Sequence, residues 1–349
     1  MNEIEKKRLG IFIAVAYGVP AIMSIFMFIG MKKGVDLTMF VNTQMMYPAC
    51  GVILGMIIAR NKDESLPLGG FITTLVLTVI MMICSIIPVI TKDIMLPIPG
   101  MEMSLSTLIG SLILAVASFV SYVLFWVCGK KKREDTGLAR KNIKMSILMI
   151  LLFLVLYILR FVISATLSDA LNGSGESMQM LKDAAINPRT YMLAAVLIPN
   201  FVFSFIAFFG EEYGWRFYLL PVMLKKFGLR KGVLLLGIVW AIWHINIDFM
   251  FYSVETGPLM FIAQIITCVT VGIFFAYAYM KTQNIWVPVI MHYLNNNLVV
   301  VLAGGDTSVL QNQIVHAKDL PIMVIQGLVF ALFIFAPIFG KIKKEGVEQ

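Results

Sequence analysis

Apolar runs of about twenty residues, separated by short polar or basic stretches, recur along the whole chain. Each run is long enough to cross a hydrocarbon core of roughly 30 Å as a helix rising about 1.5 Å per residue. A helix is expected because backbone amides in lipid have no water to bond and must satisfy one another. The alternation of apolar and polar positions that a membrane barrel needs is absent. The pattern predicts an all-α, polytopic transmembrane helix bundle. About ten spans, within a range of eight to ten, are expected near residues 11–30, 40–59, 69–91, 105–128, 145–166, 195–223, 232–252, 259–280, 285–303 and 321–340. Asn42 and Gln44 make the second the most polar. The first follows Lys6, Lys7 and Arg8 as a signal peptide would. It is too long for such a segment and lacks a small-residue cleavage site, so it counts as a span.

Composition agrees with this class. Of 349 residues, 59% are hydrophobic and 14% charged, whereas soluble domains carry roughly 45–50% and about 25%. If the N-terminus lies inside and the spans alternate, 20 of the 28 Lys and Arg residues fall in inner segments and six in outer ones. Arg160 and Arg216 lie within spans. The bias places both termini in the cytoplasm, with Lys341, Lys343 and Lys344 anchoring the C-terminal one. The net charge of +8 is then an inner-face anchor to anionic lipid and implies no nucleic-acid partner. Cys50, Cys84, Cys128 and Cys268 sit in or beside apolar runs without a CxxC pair, so they read as small buried hydrophobes.

The basic stretch Gly129 to Lys144 is the clearest seam. It divides an N-terminal four-helix part, residues 1–143, from a second transmembrane part, residues 144–349, whose motif core is 195–300. The outer loop Asn172 to Arg189 is polar and reads as a connector.

Ionisable groups inside apolar spans are costly and are retained mainly where they pair or act. The first part has none at mid-span. The second has Arg160, Glu211, Glu212, Arg216, His244 and His292. Distance along a helix from the nearest inner lysine estimates depth: about 21 Å for Glu211, 20 Å for His244, 17 Å for His292 and 22 Å for Asn296. Three helices thus bring a carboxylate, two imidazoles and an amide to one level. Glu212 and Arg216, four residues apart, are expected to pair on one face. Glu211 is rotated from Glu212 by about 100° and can meet another helix. His292 and Asn296, also four apart, share a face. This set suits water activation: Glu211 with His244 as base, His292 with Asn296 as oxyanion donors, and Glu212 and Arg216 in support.

At these residues the chain resembles the CAAX protease and bacteriocin-processing (CPBP, or Abi) family of intramembrane glutamic endopeptidases. The EExxxR motif stands as Glu211-Glu212-Tyr213-Gly214-Trp215-Arg216, followed by Leu219-Leu220-Pro221. FxxxH appears as Trp240-Ala241-Ile242-Trp243-His244, with tryptophan in the aromatic slot, and HxxxN as His292-Tyr293-Leu294-Asn295-Asn296. The resemblance implies cleavage of a membrane-associated or lipidated peptide, with Glu211 and His244 activating water. For bacterial members it implies a role in bacteriocin maturation, self-immunity or peptide signalling at the plasma membrane. No cofactor is expected. The alternative within enzymes is a zinc metalloprotease with Glu211, His244 and His292 as a His2Glu ligand set. A non-catalytic immunity or scaffold protein is the alternative outside them. Tyr293, Asn295 and Asn297 read as polar packing, and His316 as surface. Arg160 reads as snorkelling or paired with a polar group, and Asp248 and Glu255 as outer-loop charges.

Overall fold

The computed structural model describes residues 1–98 and 101–340, so Lys341, Lys343 and Lys344 lie outside the described residues. All ten apolar runs fold as helix. Eight are long and apolar enough to cross a membrane: α1 (Glu3–Lys33), α2 (Thr38–Ile58), α3 (Leu68–Ile90), α4 (Leu105–Val127), α5 (Ile143–Asn172), α7 (Pro188–Phe227), α10 (Gly257–Thr282) and α12 (Ala317–Phe335). Between α5 and α7 lies the shorter α6 (Glu176–Ile186), within the expected connector. The run near 232–252 forms two helices, α8 (Leu229–Trp243) and α9 (Ile245–Tyr252), bent by 43° at His244. Taken together they make a ninth span. The remaining run forms α11 (Trp286–Leu302), whose 17 residues reach only about 26 Å. Among the described residues eight helices, or nine with the bent pair, are long and apolar enough to span, because one run forms a short helix and another a broken one. The loop between α3 and α4 forms a hairpin that the apolar pattern does not announce: β1 (Met95–Ile98) pairs antiparallel with β2 (Met101–Ser104), Met95 opposite Ser104.

Two compact units make up the chain. The first comprises Met1–Arg140, Tyr191–Gly214 and His292–Val301; the second comprises Lys141–Thr190, Trp215–Met291 and Leu302–Gln349.

In the first unit, α1 starts with a reciprocal cap. Asn2 Oδ1 accepts from the Glu5 N–H at 2.8 Å, and Glu5 Oε2 accepts from the Asn2 N–H at 2.9 Å. Arg8 donates to Glu64 Oε2 at 2.6 Å and to the Ala59 carbonyl at 3.0 Å, while the Ser65 N–H donates to Asp135 at 2.9 Å. The N-terminus, the α2–α3 loop and the stretch after α4 therefore share one end of this unit. Lys33 reaches the Val89 carbonyl and Thr107 reaches Asp36, so the α1–α2 loop and the ends of α3 and α4 share the other. That is the alternation the basic residues predict for the first four spans.

The second unit packs with aromatic rings inside and aliphatic side chains outside. On α5, Met149, Phe153 and Tyr157 are buried, whereas Ile147, Leu151, Val155 and Ile158 are exposed, as lipid solvent favours. Phe153 lies 5.8 Å from Phe275 on α10 and 5.6 Å from Phe330 on α12. Asn142 donates to the Thr282 carbonyl and Asn284 to Ser146 Oγ at one end; Lys318 donates to Asn172 at the other. Arg160 packs its guanidinium over the Tyr157 and Phe161 rings. Of the four cysteines, Cys50, Cys84 and Cys268 are buried, and all four are free thiols.

Candidate active site

Glu211, Glu212, His292 and Asn296 belong to the first unit; Arg216 and His244 belong to the second. Each group is built by its own unit's packing.

In the first unit the two glutamates end the α-helical part of α7, and Tyr213–Leu219 continues it as a π-helix. Such widened turns recur at functional sites. The glutamates lie between Gly210 and Gly214, and the glycines explain their position. A β-carbon at residue 210 would fall 2.4 Å from the Met45 carbonyl oxygen, and one at 214 would fall 2.3 Å from Pro48 Cβ. Only glycine permits this approach of α7 to the middle of α2, in the small-xxx-small manner of membrane helices. The result buries Glu211 to 2% and Glu212 to 0% exposure.

Glu212 meets the start of the HxxxN motif. His292 Nδ1 lies 2.8 Å from Glu212 Oε1, and the Phe208 ring stands edge-on to the imidazole at 5.4 Å. A carboxylate only accepts, so Nδ1 carries the proton in this bond. The next residue locks α11 to α7: the Tyr293 hydroxyl donates to the Leu197 carbonyl at 2.8 Å and accepts from Asn200. Asn297 donates to the Tyr293 carbonyl, so these residues do serve as polar packing. Asn296 Oδ1 accepts from Asn295 at 3.0 Å, which leaves the Asn296 amide N–H groups as the donors. The α-helix ends at Glu212, and the His292 that its carboxylate meets is 80 residues away along the chain.

In the second unit Arg216 is 1% exposed and held between rings. Its guanidinium sits 4.0 Å from the Trp240 ring centre and 5.1 Å from that of Phe275. Room for it comes from Gly272, where a β-carbon would lie 3.6 Å from Arg216 Nη2 and 3.9 Å from the Trp240 ring. Trp240 also holds His244. Its backbone carbonyl lies 2.9 Å from His244 Nδ1, its ring 5.8 Å from the imidazole, and Trp243 stands edge-on to the imidazole at 4.9 Å. A carbonyl is an acceptor, so Nδ1 bears the hydrogen and neutral His244 keeps its lone pair on Nε2. The Cys268 thiol lies 4.0 Å from Nδ1. The bend between α8 and α9 falls at this histidine.

Asp248 differs from expectation. It is 0% exposed, and neither carboxyl oxygen has a hydrogen-bond partner among the described residues. The residue is no loop charge, because α9 carries the chain onward as helix past it. The four-residue spacing from His244 was the available signal. Glu255 and His316 are exposed, as expected.

Residues 193–298 match the family model of Rce1-like proteins, type II CAAX prenyl endopeptidases. This segment is similar to a CAAX-type endopeptidase domain. No curated protein and no solved structure matches the chain. The CAAX-type domain runs from α7 to α11 and holds all three motifs, close to the expected core of 195–300. Enzymes of this class are hydrolases, and the chain is an integral membrane protein by its apolar helices. Among the described residues of the endopeptidase, no three His, Cys, Asp or Glu side chains are grouped as a metal ion requires.

Proposed function

We propose that the chain is an intramembrane endopeptidase that hydrolyses a peptide bond of a membrane-associated or lipidated peptide without a metal ion. Glu211 and His244 activate the water, and His292 with Asn296 stabilises the tetrahedral oxyanion. The observation that carries this reading is the burial of every ionisable motif residue: Glu211, Glu212, Arg216, His244 and His292 are all at most 6% exposed. Groups so costly to keep in a bilayer are kept for a task. The lone pair on His244 Nε2 suits a base. His292 gives Nδ1–H to Glu212, so donation by Nε2 uses the imidazolium, with Glu212 as its counter-ion. Asn296 has its amide N–H groups to donate. Arg216 is held as a packed cation beside the motif helices.

The membrane arrangement belongs to the same proposal. About ten segments cross or enter the bilayer, counting α8–α9 and α11, and both termini face the cytoplasm of a bacterial plasma membrane. Residues 144–349 form the catalytic part, and the substrate enters from the lipid phase. The cellular role is maturation of a peptide or bacteriocin, or self-immunity.

Peptidomics of membranes from cells expressing wild-type or Glu211→Ala protein tests the reading. Uncut membrane peptides are expected to accumulate with the variant. Identical peptide sets, with the cellular phenotype retained, would leave a scaffold or immunity protein instead. Chelation of the purified enzyme is expected to leave turnover intact; loss restored by zinc would favour the Glu211, His244 and His292 ligand set.

A further inference from the structure

A fully buried carboxyl group with two unpartnered oxygens is expensive, roughly several kcal/mol when its hydrogen bonds with water are not replaced. Folds retain such groups where they contribute something other than stability. Asp248 is one, and its position says what it contributes. Its backbone N–H donates to the His244 carbonyl at 2.9 Å, so the two residues are one helical turn apart on a shared face. Helical side chains lean back over the preceding turn. His244 does so, with Nδ1 on the Trp240 carbonyl four residues earlier. Asp248 stands one turn further along the chain, toward the same face. The β-carbons of such a pair are about 5–6 Å apart. Asp248 makes no direct bond to the ring. The Cys268 thiol stands near His244 Nδ1, and the Arg216 guanidinium on Trp240.

We propose that Asp248 is a positioning residue for the hydrolysis, acting through one water on His244. The proposal rests on the role given to His244 above. In the reaction the attacking water gives a proton to Nε2 while its oxygen bonds to the peptide carbonyl carbon. The C–N bond then breaks, and the leaving nitrogen takes that proton. Asp248 ends the cycle unchanged. It balances the positive charge the ring holds between the two transfers, while the Trp240 carbonyl orients the ring.

The test compares purified full-length wild type with Asp248→Asn, Asp248→Glu and His244→Ala in proteoliposomes. Three readouts are used: cleavage of a prenylated CAAX-ended peptide, thermal unfolding, and 15N spectra of the imidazoles, with His292 and His316 as internal references. For Asp248→Asn, kcat should fall about 10–100-fold with KM little changed. Tm should hold or rise, and the His244 ring signal alone should shift. Asp248→Glu should recover part of the loss. Wild-type kcat in Asp248→Asn, or a lowered Tm with an unmoved His244 signal, overturns the proposal. If His244→Ala keeps turnover, the catalytic reading above has failed; if it is dead while Asp248→Asn is wild type, only the role of Asp248 has. If wild type leaves the probe peptide uncut, the spectra and Tm decide.

Discussion

His292 and His244 are both buried in apolar helices, yet one is bound to a carboxylate and the other to a backbone carbonyl. In the first unit, Glu212 offers His292 a carboxylate from another helix, with Nδ1 2.8 Å from Oε1. In the second, the Trp240 carbonyl orients His244 without supplying a full charge, which suits a ring that must accept a proton. Nδ1 carries the hydrogen in both, so the two rings share one tautomer and differ in whether the acceptor is charged. The supporting residues differ in the same sense. Glycines at 210 and 214 let backbones close around Glu211 and Glu212, while Gly272 opens room for Arg216 among rings.

The contrast can be broken most severely at His244. His244→Ala should lower kcat by about 10²–10⁴-fold in a cleavage assay, because no other group replaces its Nε2. Retained turnover would remove the base role and leave the two histidines equivalent. A smaller effect is expected at the partner of the other ring. Glu212→Gln keeps a hydrogen-bond acceptor but loses the counter-charge. Turnover should fall about 10–100-fold, and stability by about 1–3 kcal/mol in chemical denaturation. An unchanged rate would show that His292 works as a neutral ring. The smallest effect is expected at the slot where this chain has tryptophan and relatives have phenylalanine. Trp240→Phe keeps an aromatic face for Arg216 and the same backbone carbonyl for His244. It should cost no more than about 1 kcal/mol of stability and leave turnover within about tenfold. Trp240→Ala, which removes the face, should cost about 3–5 kcal/mol. Equal losses in the two variants would mean that Trp240 matters by volume and not by its face.

Much of this was legible before any coordinates. The apolar runs locate every long helix, since hydropathy and length are local properties that lipid reads directly. The motif residues stand out because charge in an apolar run is rare. The choice of partners was less legible. The i,i+4 spacing pointed Glu212 toward Arg216, but nothing local pointed its carboxylate to His292, 80 residues on. Asp248 was misplaced for a related reason. A run read as one straight span ends near residue 252, so an acid there looks like loop; the bend at His244 keeps it buried.

What the sequence by itself determined is the solvent this chain folds in, the positions of its helices and the identity of its chemical groups, because each depends on residues close together along the chain. Tertiary structure alone decided that Glu212 faces His292, that Arg216 is clasped by Trp240 and Phe275, and that Asp248 is fully buried. Those outcomes depend on how closely helices approach and where one bends. Such quantities are set by packing between segments tens of residues apart, which local periodicity does not encode.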